Sequence, residues 1–304
     1  MKCIKFLVLA VIATLAMASC GTSQTVPLTG RTHRISVSDE QVLSLSNQEY
    51  TKYMASAKKS TNAANTAMVQ RVGQKLATAV ETYLKNNGYA NDVKNYSWEF
   101  NLVQDNSANA FCMPGGKIVV YEGLLPYTQN ETSLAIVLGH EIAHAVAKHS
   151  AEQLTKQQNQ QVGTNILGNV LNQTVGNGVG NVASAVAGQY FSFRNLKYSR
   201  DNETEADYMG LIFAAMAGYD PQQAIPFWQR MSQGSSSNQN DIFSDHPSDA
   251  KRIAALQKEM PTALKYYEAT KPVAKTTSTT KKTTTKKATA TKKTTTKKTT
   301  TKKK

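Results

Sequence analysis

The sequence is organised around His140-Glu141-Ile142-Ala143-His144, which lies in a largely apolar run between Thr132 and His149. Residues four apart lie on one face of an α-helix, so His140 and His144 can bind one metal ion. An apolar stripe at helical spacing surrounds them and comprises Leu134, Leu138, Ile142 and Ala145. Burying such polar groups without a partner is costly. We therefore interpret this H-E-x-x-H pattern as two zinc ligands and a general base, Glu141, rather than as chance surface residues.

A third ligand must come from another element, because a catalytic zinc site uses three protein ligands and leaves one position for water. Glu203 and Asp207 are the candidates, one turn apart at the start of a predicted helix. Small residues near the same face would let this helix approach the H-E-x-x-H helix closely; they are Ala206, Gly210 and Ala214. We assign Glu203 as the third ligand and Asp207 as the acceptor that orients a ligand histidine. The alternative is an acidic first turn that complements the helix dipole.

The elements before the motif predict a mainly helical α+β domain with a small sheet. Periodicity and alternation predict two helices, a half-buried strand and a hairpin, over residues 40–59, 63–86, 96–103, and 109–113 with 117–121. The hairpin turns at Pro114-Gly115-Gly116. We expect the domain to span 40–265, with the hairpin region near 98–121 packed beside the H-E-x-x-H helix.

Residues 150–190 are predicted to form a polar helix, a Gly-rich stretch and an Ala-rich helix from Val182, and three further helices are predicted after them. One is capped by Asp201 or Asn202 and ends at Gly218, one covers 221–232 and is disturbed or restarted at Pro226, and one starts at His246 and ends near Met260. Residues 150–190 include a Gly-rich stretch, which is either a mobile flap over the site or an insertion without function.

The first twenty residues have the features of a secretory leader, with Lys2 and Lys5 before an apolar run. The run ends in Met17-Ala18-Ser19-Cys20, which resembles a bacterial lipobox. We predict a signal peptide at 1–19, lipidation of Cys20 and a tether at 20–39. The alternative is an ordinary signal peptide cut nearby. No later segment offers about 18 consecutive apolar residues, so no transmembrane helix is predicted.

The formal charge of +14 is concentrated at the ends of the chain. Residues 271–304 hold thirteen lysines and no acid, and without these and the two leader lysines the net charge is −1. This nearly neutral body argues against nucleic-acid binding. We predict a disordered Lys/Thr-rich tail at 266–304. The tail either binds anionic lipid or cell-wall polymer or serves only as a spacer. The spacer is the preferred interpretation.

Four motifs, taken in order, resemble the zinc metallopeptidase family of HtpX and the CAAX prenyl protease. They are Asn109-Ala110-Phe111-Cys112-Met113-Pro114-Gly115-Gly116, His140-Glu141-x-x-His144, Glu203-x-x-Ala206-Asp207 and His246-Pro247. The resemblance covers residues 25 to 260 and is greatest to the periplasmic, BepA/LoiP-like lipoprotein branch and to a mitochondrial inner-membrane relative. It implies a gluzincin endopeptidase fold with one zinc ion per chain, bound by His140, His144 and Glu203.

The resemblance also implies roles for further residues. Glu141 would take a proton from the attacking water and deliver it to the leaving amine. An edge strand would pair with an extended substrate through Asn109, Ala110, Phe111 and Cys112. His246 either approaches the metal or the oxyanion, or only caps the last helix. Cys112 is expected to fill the core, and His33 and His149 are expected at the surface.

The expected function is that of a membrane-tethered zinc metalloendopeptidase at the outer membrane, facing the periplasm. Its substrates would be unfolded, misfolded or misassembled envelope proteins. The alternative is a non-catalytic, chaperone-like or binding lipoprotein with a structural metal site. The complete set of His140, Glu141, His144 and Glu203 favours the protease, since a binding protein need not retain the base. A weaker third hypothesis is a cell-wall-associated protein that is anchored by its cationic tail.

Overall fold

A computed structural model describes residues 22–160, 192–194, 196–234 and 250–272. In chain order its main elements are β1 (Thr22–Thr25), β2 (Thr32–Ile35), α1 (Asp39–Ser56), α2 (Ala63–Asn86), β3 (Glu99–Val103), β4 (Ala110–Met113), β5 (Lys117–Tyr121), α3 (Leu125–Thr128), α4 (Glu131–Val146), α5 (149–160), α6 (Arg200–Met216), α7 (Ala224–Gly234) and α8 (Ala250–Ala269). The predicted mainly helical α+β class is confirmed.

The larger sheet has the strand order β3-β5-β4. The predicted hairpin of β4 and β5 is confirmed, and its turn places Gly115 and Gly116 at φ values of +87° and +84°. Every residue of β5 is buried, because β5 lies between β3 and β4 and its two faces pack into two hydrophobic clusters. Helix α4 packs against β4, so the sheet lies beside the H-E-x-x-H helix as expected.

The predicted helices α1 and α2 both form, although α1 ends at Ser56 and not at residue 59. Ser38 caps α1 in a capping box with Gln41. Helix α2 covers the predicted range, and one of its faces is buried against α4 and β3. The large apolar residues buried on that face are Val69, Val72, Leu76, Val80 and Leu84.

The N-terminal segment, which was predicted as a tether that settles onto the domain, folds as a hairpin in its described part. Strands β1 and β2 form an antiparallel hairpin. Its turn passes through positive φ at Leu28 and Gly30, and Val26 at the start of the turn is 1% exposed in the main core. His33 and Ile35 are buried on alternate positions of β2. This short strand has the expected two-residue period, but it is too short to be recognised by that period alone.

Two predicted helix boundaries are wrong near the start of α6 and α7. Ser199 caps α6, and Asn202 hydrogen-bonds back to it instead of acting as the cap. A 3-10 turn at Pro221–Gln223 precedes α7, which begins at Ala224. Pro226 therefore lies in the first turn of α7, where the missing N–H has no partner to lose, and the helix does not restart there.

Helix α8 continues past its predicted end near Met260, through Pro261, to Ala269. The predicted domain end at 265 therefore falls inside a helix. Ala263 is fully buried, and Tyr266 and Tyr267 pack against the same core. Tertiary packing thus outweighs the loss of one helical hydrogen bond at the proline.

Several predicted features lie outside the described residues. They are the signal peptide with Cys20, His246, the Gly-rich part of 150–190 and nearly all of the 266–304 tail. Within the described residues, no helix is both long enough and apolar enough to cross a bilayer.

Helices α4 and α6 touch backbone to backbone. A Cβ atom added to Gly139 would lie 2.6 Å from the carbonyl oxygen of Gly210, and one added to Gly210 would lie 2.5 Å from the amide nitrogen of His140. Ala206 and Ala214, on either side of Gly210 along α6, are fully buried. The predicted close approach of the two helices is confirmed.

Substituting Gly210→Ala tests this contact. Helix propensity alone would favour alanine by about 1 kcal/mol. The clash with the His140 backbone should instead reduce the free energy of unfolding by about 1–3 kcal/mol. Urea denaturation of the zinc-saturated protein measures the change. Thr204→Ala, at an exposed position of the same helix, is the control and should stay within about 0.5 kcal/mol of the parent. A more stable Gly210→Ala protein would show that the helices can separate at no cost.

Candidate metal centre

Two helices bring three potential ligand atoms together. His140 and His144 lie on one face of α4, and Glu203 lies in the first turn of α6. The Nε2 atoms of the two histidines are 3.1 Å apart. The Glu203 carboxylate approaches His140 Nε2 at 3.4 Å and His144 Nε2 at 3.5 Å. All three side chains are buried, and their ligand atoms lie within 4.8 Å of one another.

The second ring nitrogen of His140 is fixed by Asp207. His140 Nδ1 lies 3.0 Å from Asp207 Oδ1, so Nδ1 carries the hydrogen that the carboxylate accepts. In the neutral ring, Nε2 then presents a lone pair toward His144 and Glu203. The sequence analysis placed Asp207 beside a ligand histidine, and the structure brings it to His140.

Arg252 of α8 completes this side of the site, and the sequence analysis missed it. Its Nε and NH2 groups donate to the two Asp207 oxygens at 2.5 and 2.7 Å. Its guanidinium lies 3.8 Å from the ring centroid of Trp228. Asp207, Arg252 and Trp228 are all buried. An arginine inside an amphipathic helix carries no local signal for such a role.

His144 is fixed on its other side by His149, which was expected at the surface. His149 is 1% exposed, and its Nδ1 lies 2.9 Å from His144 Nδ1. Helix α4 ends at Val146, and Lys148 adopts a left-handed φ of 54° that turns the chain back toward the site. Lysine rarely adopts this conformation, so the turn could not be expected from the residue type. The expected exposure of His33 is also wrong, since it is buried against Glu152.

A tyrosine packs against His144. The ring of Tyr198 stacks on His144 with centroids 4.2 Å apart, and its hydroxyl lies 2.9 Å from Ser150 Oγ. This contact restricts rotation of the imidazole. Tyr198 has no spacing relation to the motif that sequence reasoning could have used.

The electrostatics of the site favour a cation. Burial and the charge of Arg252 lower the pKa of His140, but Asp207 and Glu203 outweigh them and raise it to about 9. Burial raises the pKa of Asp207, but the charge of Arg252 and the hydrogen bond from His140 hold it below its ordinary value. The carboxylates therefore make this buried site strongly attractive to positive charge.

The donor set fits zinc. Two imidazole nitrogens and one carboxylate form one of the ligand sets of catalytic zinc sites, which leave a further position for water. Among the described residues, this is the group of histidine, cysteine and acidic side chains whose atoms converge closely enough to hold an ion. The second ring nitrogens of both histidines have partners that orient the rings, as in most zinc sites.

Glu141 and β4 border this cluster. Glu141 follows His140 on α4 and is 3% exposed. Burial and then the charge of Glu141 raise the pKa of the Cys112 thiol, so the carboxylate lies near β4. Cys112 is buried, as expected for a core residue. Asn109 orders the start of β4, since its Oδ1 accepts from the Ala110 amide and its backbone oxygen accepts from Tyr121.

A small pocket with a volume of about 40 Å³ opens beside His144. Its apolar lining includes Val42, Leu43, Tyr96, Pro114 and Ala145. The Lys148 amine, which pairs with Asp39 at 2.9 Å, forms part of its polar lining.

The known proteins that are similar to this chain include two metalloendopeptidases and a protease. The mitochondrial metalloendopeptidase OMA1 of Schizosaccharomyces pombe is 35% identical over 173 residues, which are 55% of this chain and 48% of the relative. Human OMA1 is 29% identical over 252 residues, which are 80% of this chain and 47% of the relative. The beta-barrel assembly-enhancing protease of Escherichia coli is 27% identical over 170 residues, covering 55% and 35%.

The chain spans about half, or less, of the length of these curated relatives. Residues 63–260 match the sequence model of peptidase family M48. The matched region includes His140, Glu141, His144 and Glu203, and the family uses zinc. The resemblance stated from the motifs is confirmed, and the chain belongs to peptidase family M48.

Proposed function

We propose that the protein is a zinc-dependent metalloendopeptidase in which His140, His144 and Glu203 hold the ion. The convergence of their three donor atoms in a buried site carries this proposal. Family membership and the names of the metalloendopeptidase relatives support it. Zinc bound in such a site acts as a Lewis acid, which acidifies water and polarises a carbonyl group.

Glu141 is the general base and then the general acid. Its carboxylate takes a proton from water while the water oxygen bonds to the carbonyl carbon of the substrate. As the C–N bond breaks, Glu141 gives the proton to the leaving nitrogen. The rigid turn of α4 between His140 and His144 holds this carboxylate next to the ligands. Asp207 and His149 keep the two imidazoles oriented while the proton moves.

Strand β4 is the proposed site of peptide binding. Within the described residues it pairs with β5 alone, so its second edge can accept an extended chain. Backbone pairing does not depend on side chains, which suits a protease that cleaves many sequences. The pocket beside His144 is the proposed site of contact with one substrate side chain. These features support unfolded or misassembled proteins as substrates.

The proposed location is the bacterial cell envelope, with lipid on Cys20 as the tether at the outer membrane. The leader and lipobox pattern of residues 1–20 support export and lipidation. The bacterial relatives include proteases that are named for enhancing beta-barrel assembly. The proposed substrates are therefore misassembled envelope proteins, and His246 is retained as a candidate regulatory or oxyanion-binding residue.

Glu141→Gln tests the chemical role of the base. The variant should retain zinc, because Glu141 is not a ligand, and lose peptide cleavage by about 10²–10⁴-fold. Cleavage is measured on casein or an unfolded outer-membrane protein, with bound metal quantified in the same preparations. Glu131→Gln, in the first turn of the same helix and partly exposed, is the control and should cleave normally. Unchanged cleavage by Glu141→Gln would remove Glu141 from the mechanism, and binding without cleavage by the parent would favour the chaperone-like alternative.

Glu203→Ala tests the metal ligation. Removal of one of three protein ligands should abolish stable zinc binding, whereas Asp207→Asn should weaken it by about 10–100-fold. Metal content after dialysis against a weak chelator measures both effects. Asp201→Ala removes an exposed acid from the same helical turn and should leave zinc bound. If Glu203→Ala retains zinc as tightly as Asp201→Ala does, Glu203 is not a ligand.

A further inference from the structure

The turn of the N-terminal hairpin contacts Glu205, a carboxylate that is linked to His144 through His149. Thr29 Oγ1 donates to Glu205 Oε1 at 2.6 Å. Arg31 Nε donates to Glu205 Oε2 at 2.7 Å. The hairpin therefore supplies a donor to each oxygen of this carboxylate. Glu205 is 8% exposed, so solvent contributes little to holding it.

Glu205 in turn holds His149. His149 Nε2 lies 3.0 Å from Glu205 Oε2, and His149 Nδ1 lies 2.9 Å from His144 Nδ1. A carboxylate can only accept, so the hydrogen of a neutral His149 lies on Nε2 and its Nδ1 is an acceptor. The hydrogen between the two rings then belongs to His144 Nδ1. This leaves the lone pair of His144 Nε2 directed at His140 and Glu203.

We propose that Thr29 and Arg31 are positioning residues of the metal centre, acting through Glu205 and His149 on His144. The inference rests on the metal ligation proposed above. It gives His144 the same kind of support that His140 receives, because each imidazole is oriented by an acid on α6 that an arginine holds. His140 contacts its carboxylate directly, whereas His144 does so through His149.

Arg31 also ties two helices together at this point. Its NH2 group lies 2.9 Å from Glu152 Oε2 on α5 and 2.7 Å from Glu205 Oε2 on α6. Glu152 further contacts His33 of β2 and Lys156. Docking of the hairpin and orientation of His144 therefore share one set of contacts. Since coupling between two sites is reciprocal, zinc binding should also strengthen the docking of the hairpin.

Arg31→Met and the control Arg34→Met separate this role from a general effect of charge. Arg31 directly precedes β2 and Arg34 lies within it, so both belong to the same hairpin. The Arg34 side chain is exposed. Zinc affinity is measured on the full-length protein by competition with a chromophoric chelator, and the cobalt-substituted protein is compared by its visible absorption spectrum. We expect Arg31→Met to bind zinc about 10–100-fold more weakly and to shift the cobalt spectrum. Arg31→Lys should recover part of the affinity, and Arg34→Met should match the parent.

His149→Gln and the double variant Arg31→Met/His149→Gln test whether the effect passes through the proposed contacts. Once His149 is replaced, loss of Arg31 should reduce zinc affinity by much less than it does in the parent. Fully additive losses would overturn the proposal, because Arg31 would then act independently of His149. Hydrogen exchange of the amides in 22–35 should slow when zinc is added to the apo-protein, and unchanged exchange would contradict the predicted coupling.

The outcomes for the two proposals are distinguishable. If Glu203→Ala loses zinc while Arg31→Met binds it with the affinity and cobalt spectrum of the parent, the ligation is right and the role of the hairpin is wrong. If Glu203→Ala retains zinc, the ligation itself fails. If Arg31→Met does not fold, the same measurements are made on Thr29→Val, which removes only the hydroxyl that donates to Glu205. Parent-like zinc affinity in Thr29→Val would then count against the proposal.

Discussion

The contact between Gly139 and Gly210 brings the functional elements of this protein together. Packed helices usually lie 8–10 Å apart, at a distance set by the side chains between them. Here the backbones themselves meet, so the short Glu203 side chain on α6 can reach both imidazoles on α4. Asp207 reaches His140 across the same crossing. The site thus depends on a pair of residues that take no part in its chemistry.

Burying this many charged groups is tolerable only because they are paired. Glu203, Glu205 and Asp207 are all buried at the start of α6. Arg252 from α8 supplies positive charge to Glu203 and Asp207, and Arg31 from the hairpin supplies it to Glu205. Removing one partner of a buried ion pair typically costs about 3–5 kcal/mol. Formation of the site and folding of the surrounding chain are therefore coupled.

Two sets of residues orient the two imidazoles, and only one set lies wholly within the region that matches the family model. The region that matches peptidase family M48 begins at residue 63 and ends at residue 260, so it contains Arg252 but not the hairpin. Arg31 reaches Glu205 across a sequence separation of 174 residues. The chain thus holds His140 with residues from the matched region, and His144 partly with a segment that precedes it.

The sequence by itself determined the local elements and the chemistry of the ligands. The bounds of α2, the β4–β5 hairpin and the pairing of H-E-x-x-H with Glu203 all follow from periodicity, turn residues and the number of ligands that zinc requires. Only the tertiary structure decided the positions of Arg31, His149 and Arg252 in the site. Their contacts arise from a left-handed turn at Lys148 and from pairings between distant segments, and such pairings leave no periodic pattern in a single sequence.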